Sequence, residues 1–388
     1  MRIVDIWEHS IEISRYRDPA ISPGDLTTSL VAIVTDVQRS GRPVIGYGFG
    51  SVGRYAQSGL IRERFARRLL AAATADILTD DGANFDPFRA WTVMMAGEKP
   101  GGHGERCVAV GTLDMALWDA AAKIADMPLN RLLAQRLGRE DPVARVAVYA
   151  SGGYPYPDRD LPNLVDEIRH FLDLGFTQAK IKIGRVPLHE DLLRVEAAAT
   201  AVGGSEHLAV DAMNAYDSEA AVVAAAAFEP LRLRWLEDIC DPLDFATHAR
   251  VAERYLPPIA AGEALFSLAE AALLDRHAGL RPQQDILLFD PVHCYGLPGY
   301  LRIIDHMAAR GWPLSAFWPH GGHLFSLHLV AALGLGAAEI TPLAFHPFHG
   351  PPTTLPVTAG TIPLPEAPGI GFELHDDAWK AFRSLTTD

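Results

Sequence analysis

Three acidic side chains stand at even spacing in the second half of this 388-residue chain. They are Asp211 in "LAVDA", Glu237 in "RWLED" and Glu263 in "AAGEA", separated by 26 residues and again by 26. Carboxylates gathered from three such runs repel one another unless a cation lies between them. An all-oxygen set with room left for water and substrate suits Mg2+ better than zinc. One unit earlier, "QAKIKIG" alternates charge with hydrophobe, so Lys180 and Lys182 share one strand face while Ala179, Ile181 and Ile183 share the other. Two ammoniums near a divalent cation depress one another's pKa and make a neutral lysine base available near physiological pH. Further on, Asp290 ends "LLFD" and His320 ends "AFWPH". A carboxylate beside an imidazole fixes its tautomer and raises its basicity. Glu339, at the start of the last strand, adds a polar group, and "GGH" after His320 supplies flexible backbone. Singly, each residue has an ordinary explanation, an acid opening a loop or a lysine snorkelling from a strand end. The regular spacing of the set favours chemistry.

A period of 26 residues is about one strand-helix unit, and the sequence supplies eight short apolar strands beyond residue 140: "RVAVYA", "AKIKIG", "HLAVDA", "LRWLED", "IAAGEA", "DILLFD", "LSAFWPH" and "EITPL". Strand and helix repeating in this way argue for a parallel sheet closed into a barrel, with the acids converging at its C-terminal mouth. Ahead of it, strands over 2–14, 29–38 and 43–49 read as an antiparallel meander, the last two joined by the turn-like "RSGRP". Helical periodicity follows in "GLIRERFARRLLAAATADIL" and "VAVGTLDMALWDAAAKIA". The expected organisation is an α+β capping domain over 1–140, an α/β barrel over 141–344, and a Pro- and Gly-rich tail over 345–388 that returns onto the capping domain without a further unit.

Composition narrows the partners. Lys and Arg total 34 against 48 Asp and Glu, a net charge of -14 that opposes nucleic-acid phosphates and anionic lipid alike. No apolar run is long enough to span a membrane, and the N-terminus lacks the apolar core of a signal peptide. Cys107, Cys240 and Cys294 form no CxxC pair, so neither a disulfide framework nor a thiolate zinc site is indicated and a reducing cytoplasm is expected.

The ordered set of "KxK" at Lys180 and Lys182, the trio Asp211, Glu237 and Glu263, and the pair Asp290 and His320 resembles the enolase superfamily, mandelate racemase subgroup. "GLIRERFARRLL", "EKPGGHGERCVAVGTLDMALWDAAAKIA" and "WPHGGH" resemble its D-tartrate dehydratase branch. The resemblance implies a (β/α)7β barrel, Mg2+ held by the trio, and abstraction of the proton α to a carboxylate, chemistry that enolase-superfamily sites carry out with a Lys or His base and magnesium. It implies Lys182 as base, Lys180 as carboxylate holder, Glu339 as a partner of an enediolate oxygen, and His320 as the acid that releases a β-hydroxyl, giving a 2-keto acid. If His320 instead returned a proton to the α-carbon, the outcome would be epimerisation. A small hydroxy acid, a tartrate-like diacid or sugar acid, is the implied substrate, and relatives of this kind are homo-oligomers, dimers or octamers.

Three departures and one retained lysine bear on which acid. Met213 stands where the subgroup commonly has Asn, with Asn214 one place later; Ala264 follows the third acid where relatives often carry Asn; and Val52 in "GFGSVGRYAQSG" replaces a polar Asn of the tartrate branch. Lys99 in "EKPGGHG" is retained and is expected to meet a distal carboxylate. Two rival readings are weaker. "GFGSVG" from Gly48 to Gly53 satisfies G-x-G-x-x-G, but it ends an antiparallel hairpin and lacks the strand-helix-strand context of a dinucleotide site. A non-catalytic acid-binding or interaction protein of the same fold would have no need of so complete a set. His346 and His349 in "HPFHG" read as a surface turn, lacking the further ligands of a zinc site.

Overall fold

The computed structural model describes residues 1–14 and 26–386. Near the N-terminus, β1 (Ile3–Glu12), β2 (Thr27–Arg39) and β3 (Arg42–Phe49) form the antiparallel meander. Ser40 and Gly41 join β2 to β3 with φ of 51° and 75°, the paired left-handed conformation that matches strand twist in a tight hairpin. Helix α1 (Glu105–Ile124) packs on this sheet and is buried over most of its length. Its approach is close: a Cβ at Gly46 would lie 2.1 Å from the Ala116 carbonyl oxygen. The helix expected over "GLIRERFARRLLAAATADIL" is shorter than its periodicity suggested. It runs through Ser58–Leu60, a wider turn at Ile61–Phe65 and Ala66–Ala71, after which Ala72 is extended. Ile77 and Leu78 then enter the core beside Phe85, so burial of two aliphatic side chains overrides alanine's helix propensity.

Seven parallel strands follow: β4 (Arg145–Gly152), β5 (Ala179–Lys182), β6 (Leu208–Asp211), β7 (Trp235–Glu237), β8 (Ile259–Ala261), β9 (Ile286–Leu287) and β10 (Ala338–Ile340). Their order is β10-β4-β5-β6-β7-β8-β9, a curled sheet with helices such as Asp160–Asp173 and Leu188–Val202 between successive strands. The segment "LSAFWPH", expected as the seventh of eight strands, is not one. Leu314–Ala316 is a 3-10 turn, and only Phe317 bridges to Leu287. Pro313 and Pro319 have no N–H to donate, which prevents a regular ladder. The Trp318 and His320 amides still donate to the carbonyls of Leu287 and Leu288, at 2.8 and 3.4 Å, and Gly336 N donates to Phe317 O at 3.0 Å. These bonds carry the wall from β9 towards β10.

The tail contains more structure than expected. β11 (Thr361–Pro363) pairs antiparallel with the start of β4, and α2 (Asp376–Ser384) sets Trp379 and Phe382 against Tyr47 of β3, with centroids 5.3 and 5.2 Å apart. His328 ties the tail inward: its Nδ1 accepts from Asn130 N–H at 3.1 Å while its Nε2 donates to Ile370 O at 2.9 Å. Among the described residues no helix is long and apolar enough to cross a membrane.

Candidate active site

The parallel register sets Lys182 beside Asp211 and Asp211 beside Glu237. Three successive strand ends therefore present these side chains on one face at one level. Glu263, two residues beyond β8, completes the trio, and one carboxylate oxygen from each of Asp211, Glu237 and Glu263 lies within 4.8 Å of the others. The alternation expected for "AKIKIG" holds. Ala179, Ile181 and Ile183 enter the apolar core, while Lys182 Nζ meets Asp211 Oδ2 at 2.5 Å and Lys180 Nζ meets Glu237 Oε1 at 2.5 Å and Glu339 Oε1 at 3.2 Å. Trp235, two residues before Glu237 on the same strand, donates from Nε1 to Glu237 Oε2 at 2.7 Å and fixes that carboxylate. Met213 N–H does the same for Asp211 Oδ1, also at 2.7 Å. Tyr149, Trp235 and Trp318 meet as an aromatic plug inside the barrel, with centroids 5.1 to 5.8 Å apart.

Burial opposes both ammoniums, but Glu237 and Glu339 hold Lys180 well above its ordinary range and Asp211 holds Lys182 above its own. Lys180 does depress Lys182, as expected, yet the carboxylate outweighs it. Burial likewise pushes Glu237 up to about 8 against the pull of Lys180, with Asp211 and Glu263 adding to the rise. Glu263 Oε2 is buried with no hydrogen-bond partner among the described residues. Crowded carboxylates with an unspent oxygen fit a hard divalent cation such as Mg2+.

Across the trio from Lys182 stands the dyad. His320 Nδ1 is 3.0 Å from Asp290 Oδ2, and its Nε2 is 3.6 Å from Glu263 Oε2. Burial disfavours the imidazolium, but Glu263 and the Asp290 hydrogen bond raise His320 to about 10. Asp290 is fully buried; burial would raise its carboxyl, but His293 and the His320 hydrogen bond bring it well below the usual range. Ser51, from the loop after β3, donates its hydroxyl to Asp290 Oδ2 at 2.6 Å. Glu339 sits between the halves, accepting from Gly321 N–H at 3.1 Å as well as meeting Lys180.

The remaining sequence candidates are placed less uniformly. Met213 and Asn214 follow Asp211 with φ of 48° and 57°, and the Asn214 Oδ1 is buried with no hydrogen-bond partner among the described residues. Val52 is buried in the main apolar cluster, so its side chain packs in the core. Lys99 is exposed and lines a cavity of about 600 Å³ with Trp91, His103, Arg106 and Tyr295, and it joins none of the contacts of the trio described above. His346 and His349, expected as a plain turn, come within 4.8 Å of an Asp377 oxygen from α2.

Sequence reasoning missed Ser51, Asp238, His293 and His323. Asp238 is buried next to Glu237, and burial together with the Glu263 and Asp211 charges holds its carboxyl well above the usual range. Its signal was available in the doubled acid of "LED". His293 and His323 are buried around Asp290, and burial lowers each to about 4. His323 Nδ1 accepts from Ser326 N–H as the cap of helix Leu324–Leu333.

Comparison with known proteins identifies the family and fold. Residues 163–378 match the family model described as enolase C-terminal domain-like. The L-talarate/galactarate dehydratase of Salmonella typhimurium is 31% identical, the alignment covering 79% of this chain and 71% of that one. The arabinonate dehydratase of Saccharolobus solfataricus is 28% identical over 73% of this chain and 74% of its own. Among solved structures, the L-talarate dehydratase of Polaromonas sp. JS666, complexed with Mg and L-glucarate, superposes with a TM-score of 0.69 at 25% identity, covering 95% of this chain and 94% of that one. Curated relatives are thus sugar-acid dehydratases, joined by cycloisomerases such as the 3,6-anhydro-alpha-L-galactonate cycloisomerase of Streptomyces coelicolor. The chain belongs to the enolase C-terminal domain-like family and is an enzyme of the enolase superfamily, of the mandelate racemase type.

Proposed function

We propose that this protein is a Mg2+-dependent dehydratase of a hydroxy acid. The observation that carries the reading is the pairing of two proton-transfer groups across one carboxylate trio, Lys182 against Asp211 and His320 against Glu263. What a cation held by Asp211, Glu237 and Glu263 would supply is compensation for the negative charge that builds on a substrate carboxylate when its α-proton leaves. With the Asp211 charge answered there, Lys182 loses what keeps it protonated; in its neutral form Lys182 Nζ takes that proton, Lys180 holds the carboxylate, and Glu339 hydrogen-bonds an oxygen of the enediolate. His320 Nε2 then gives its proton to the β-hydroxyl, which departs as water, and the enol tautomerises to a 2-keto acid. Asp290, gripped by Ser51, keeps the imidazole oriented and charged for that step. Met213 and Asn214, just after Asp211, shape which acid fits beside the trio.

In this reading residues 1–140 cap a barrel of residues 141–344, and 345–388 return to fasten the two together. A screen of four- to six-carbon hydroxy diacids and sugar acids with Mg2+, reading keto-acid formation and optical rotation together, tests the proposal. Keto-acid formation supports it. Rotation change alone would recast the reaction as epimerisation, and silence with no Mg2+ binding would return the protein to a non-catalytic role.

A further inference from the structure

The loop that follows β3 brings a cation over the barrel mouth. A Cβ added to Gly53 would lie 3.9 Å from His320 Cε1, so the next residue, Arg54, stands at the edge of the dyad. The Arg54 guanidinium carbon lies 4.6 Å from the centroid of Phe266, three residues past Glu263. That ring meets His293 edge-on at 5.4 Å, and His293 is 5.7 Å from His320. Arg54, Phe266 and His293 therefore line one wall running outward from the site of β-hydroxyl release.

The polar capacity of this wall is unspent. Four other arginines of the capping region are matched: Arg62 meets Glu8, and Arg64, Arg68 and Arg106 all meet Glu98. Arg54 has no hydrogen-bond acceptor or ion-pair partner among the described residues, only the Phe266 face. His293 is 2% exposed, and among the described residues neither of its ring nitrogens makes a well-formed hydrogen bond; the Glu263 backbone draws on it only weakly, and the nearer nitrogen stands 3.7 Å from Asp290 Oδ2. A guanidinium stacked on an aromatic ring keeps its N–H edge free for a planar anion, and a carboxylate accepts that edge in bidentate fashion. An imidazole beside it whose N–H has no well-formed acceptor adds a second donor.

The geometry points to a subsite in which Arg54 and His293 bind the second carboxylate of a dicarboxylic substrate, so that the enzyme acts on hydroxy diacids rather than on their monoacid counterparts. This rests on the proposed function, which sets the first carboxylate at Lys180 and the β-carbon at His320. A chain extending beyond that carbon meets the Arg54 wall, whereas Lys99, expected in this role, is exposed elsewhere on the cap.

The test compares six-carbon aldaric acids with aldonic acids of matching configuration, using the full chain saturated with Mg2+, in wild type, Arg54→Gln and Arg54→Lys. Wild type is expected to favour the diacid in kcat/KM by about 10- to 100-fold, the size of one charge-assisted recognition. Arg54→Gln collapses the ratio towards unity, chiefly through KM, and Arg54→Lys keeps part of it. A wild-type preference for the monoacid, or a proportional loss on both classes in Arg54→Gln, overturns the inference while leaving the dehydratase reading intact. If neither class gives a keto acid, six-carbon acids are not turned over and the dehydratase reading rests on the shorter acids, while calorimetric titration of glucarate and gluconate decides the subsite by itself. A diacid preference erased by Arg54→Gln upholds it; equal binding, or none, overturns it.

Discussion

Replacing Ser51 by alanine removes the one hydroxyl that the loop after β3 extends to Asp290. The contact is 2.6 Å long, the serine is fully buried, and the acceptor is a carboxylate oxygen shared with His320. A hydrogen bond to a charged group contributes about 1.5–3 kcal/mol. With an unfolding entropy of about 2.1 cal/mol/K per residue, that loss lowers Tm by roughly 2–4 °C in a protein of this size. If the same loss is felt in the transition state, kcat/KM falls by about 10- to 100-fold, since about 1.36 kcal/mol is tenfold in rate. Backbone conformation supplies an internal control. Ser51 has φ of 60°, where alanine is as strained as serine but glycine is not. Ser51→Gly should therefore recover about 1 kcal/mol of stability relative to Ser51→Ala, with no recovery of activity. Thermal melts and steady-state kinetics of both variants provide the comparison. Wild-type kcat/KM in either variant would refute the idea that the cap holds the dyad through this bond.

Stability should also depend on pH through His328, which is buried and lowered to about 4 by desolvation. In the unfolded chain a histidine titrates near 6.5, so above that pH neither state carries the proton and the contribution is fully present. Between about 6.5 and 4 the unfolded chain takes up a proton that the fold refuses, and about 3 kcal/mol of stability is lost. Denaturant unfolding at pH 7, 5 and 4 should show the decline, and His328→Gln should be less stable at pH 7 by a margin that shrinks towards pH 4; a margin independent of pH would contradict it. Chelation with EDTA is expected to stop α-proton exchange and keto-acid formation, both restored by Mg2+, with the far-ultraviolet circular dichroism unchanged. The fold should persist because Lys182 and Lys180 neutralise Asp211 and Glu237 directly; unfolding on chelation would show the cation to be structural.

Much of the site was legible because a barrel converts chain spacing into position. A 26-residue interval places Asp211, Glu237 and Glu263 on successive units, and the two-residue alternation of β5 turns Lys180 and Lys182 inward together. The seventh strand was misread because its apolar run hides the consequence of Pro313 and Pro319, which cannot donate to a ladder. Ser51 and Arg54 were illegible for a different reason. Ser51 lies 239 residues from the aspartate it grips, and a loop whose glycines suggest a nucleotide motif gives no sign of the partner it will meet. The tail helix α2 was hidden by the surrounding prolines and glycines, although its pattern of Ala378 and Phe382 on one face marks it in retrospect. The lysines' mutual depression was a sound expectation that missed the strength of the facing carboxylates.

The division of labour between Lys182 and His320 is tested most directly by α-proton exchange in D2O with Mg2+ and a hydroxy acid that the wild type dehydrates, followed by NMR. The account predicts that Lys182→Ala neither exchanges nor dehydrates while still binding Mg2+, and that His320→Asn exchanges the α-proton without releasing water. Exchange retained in Lys182→Ala, or dehydration retained in His320→Asn, would contradict it.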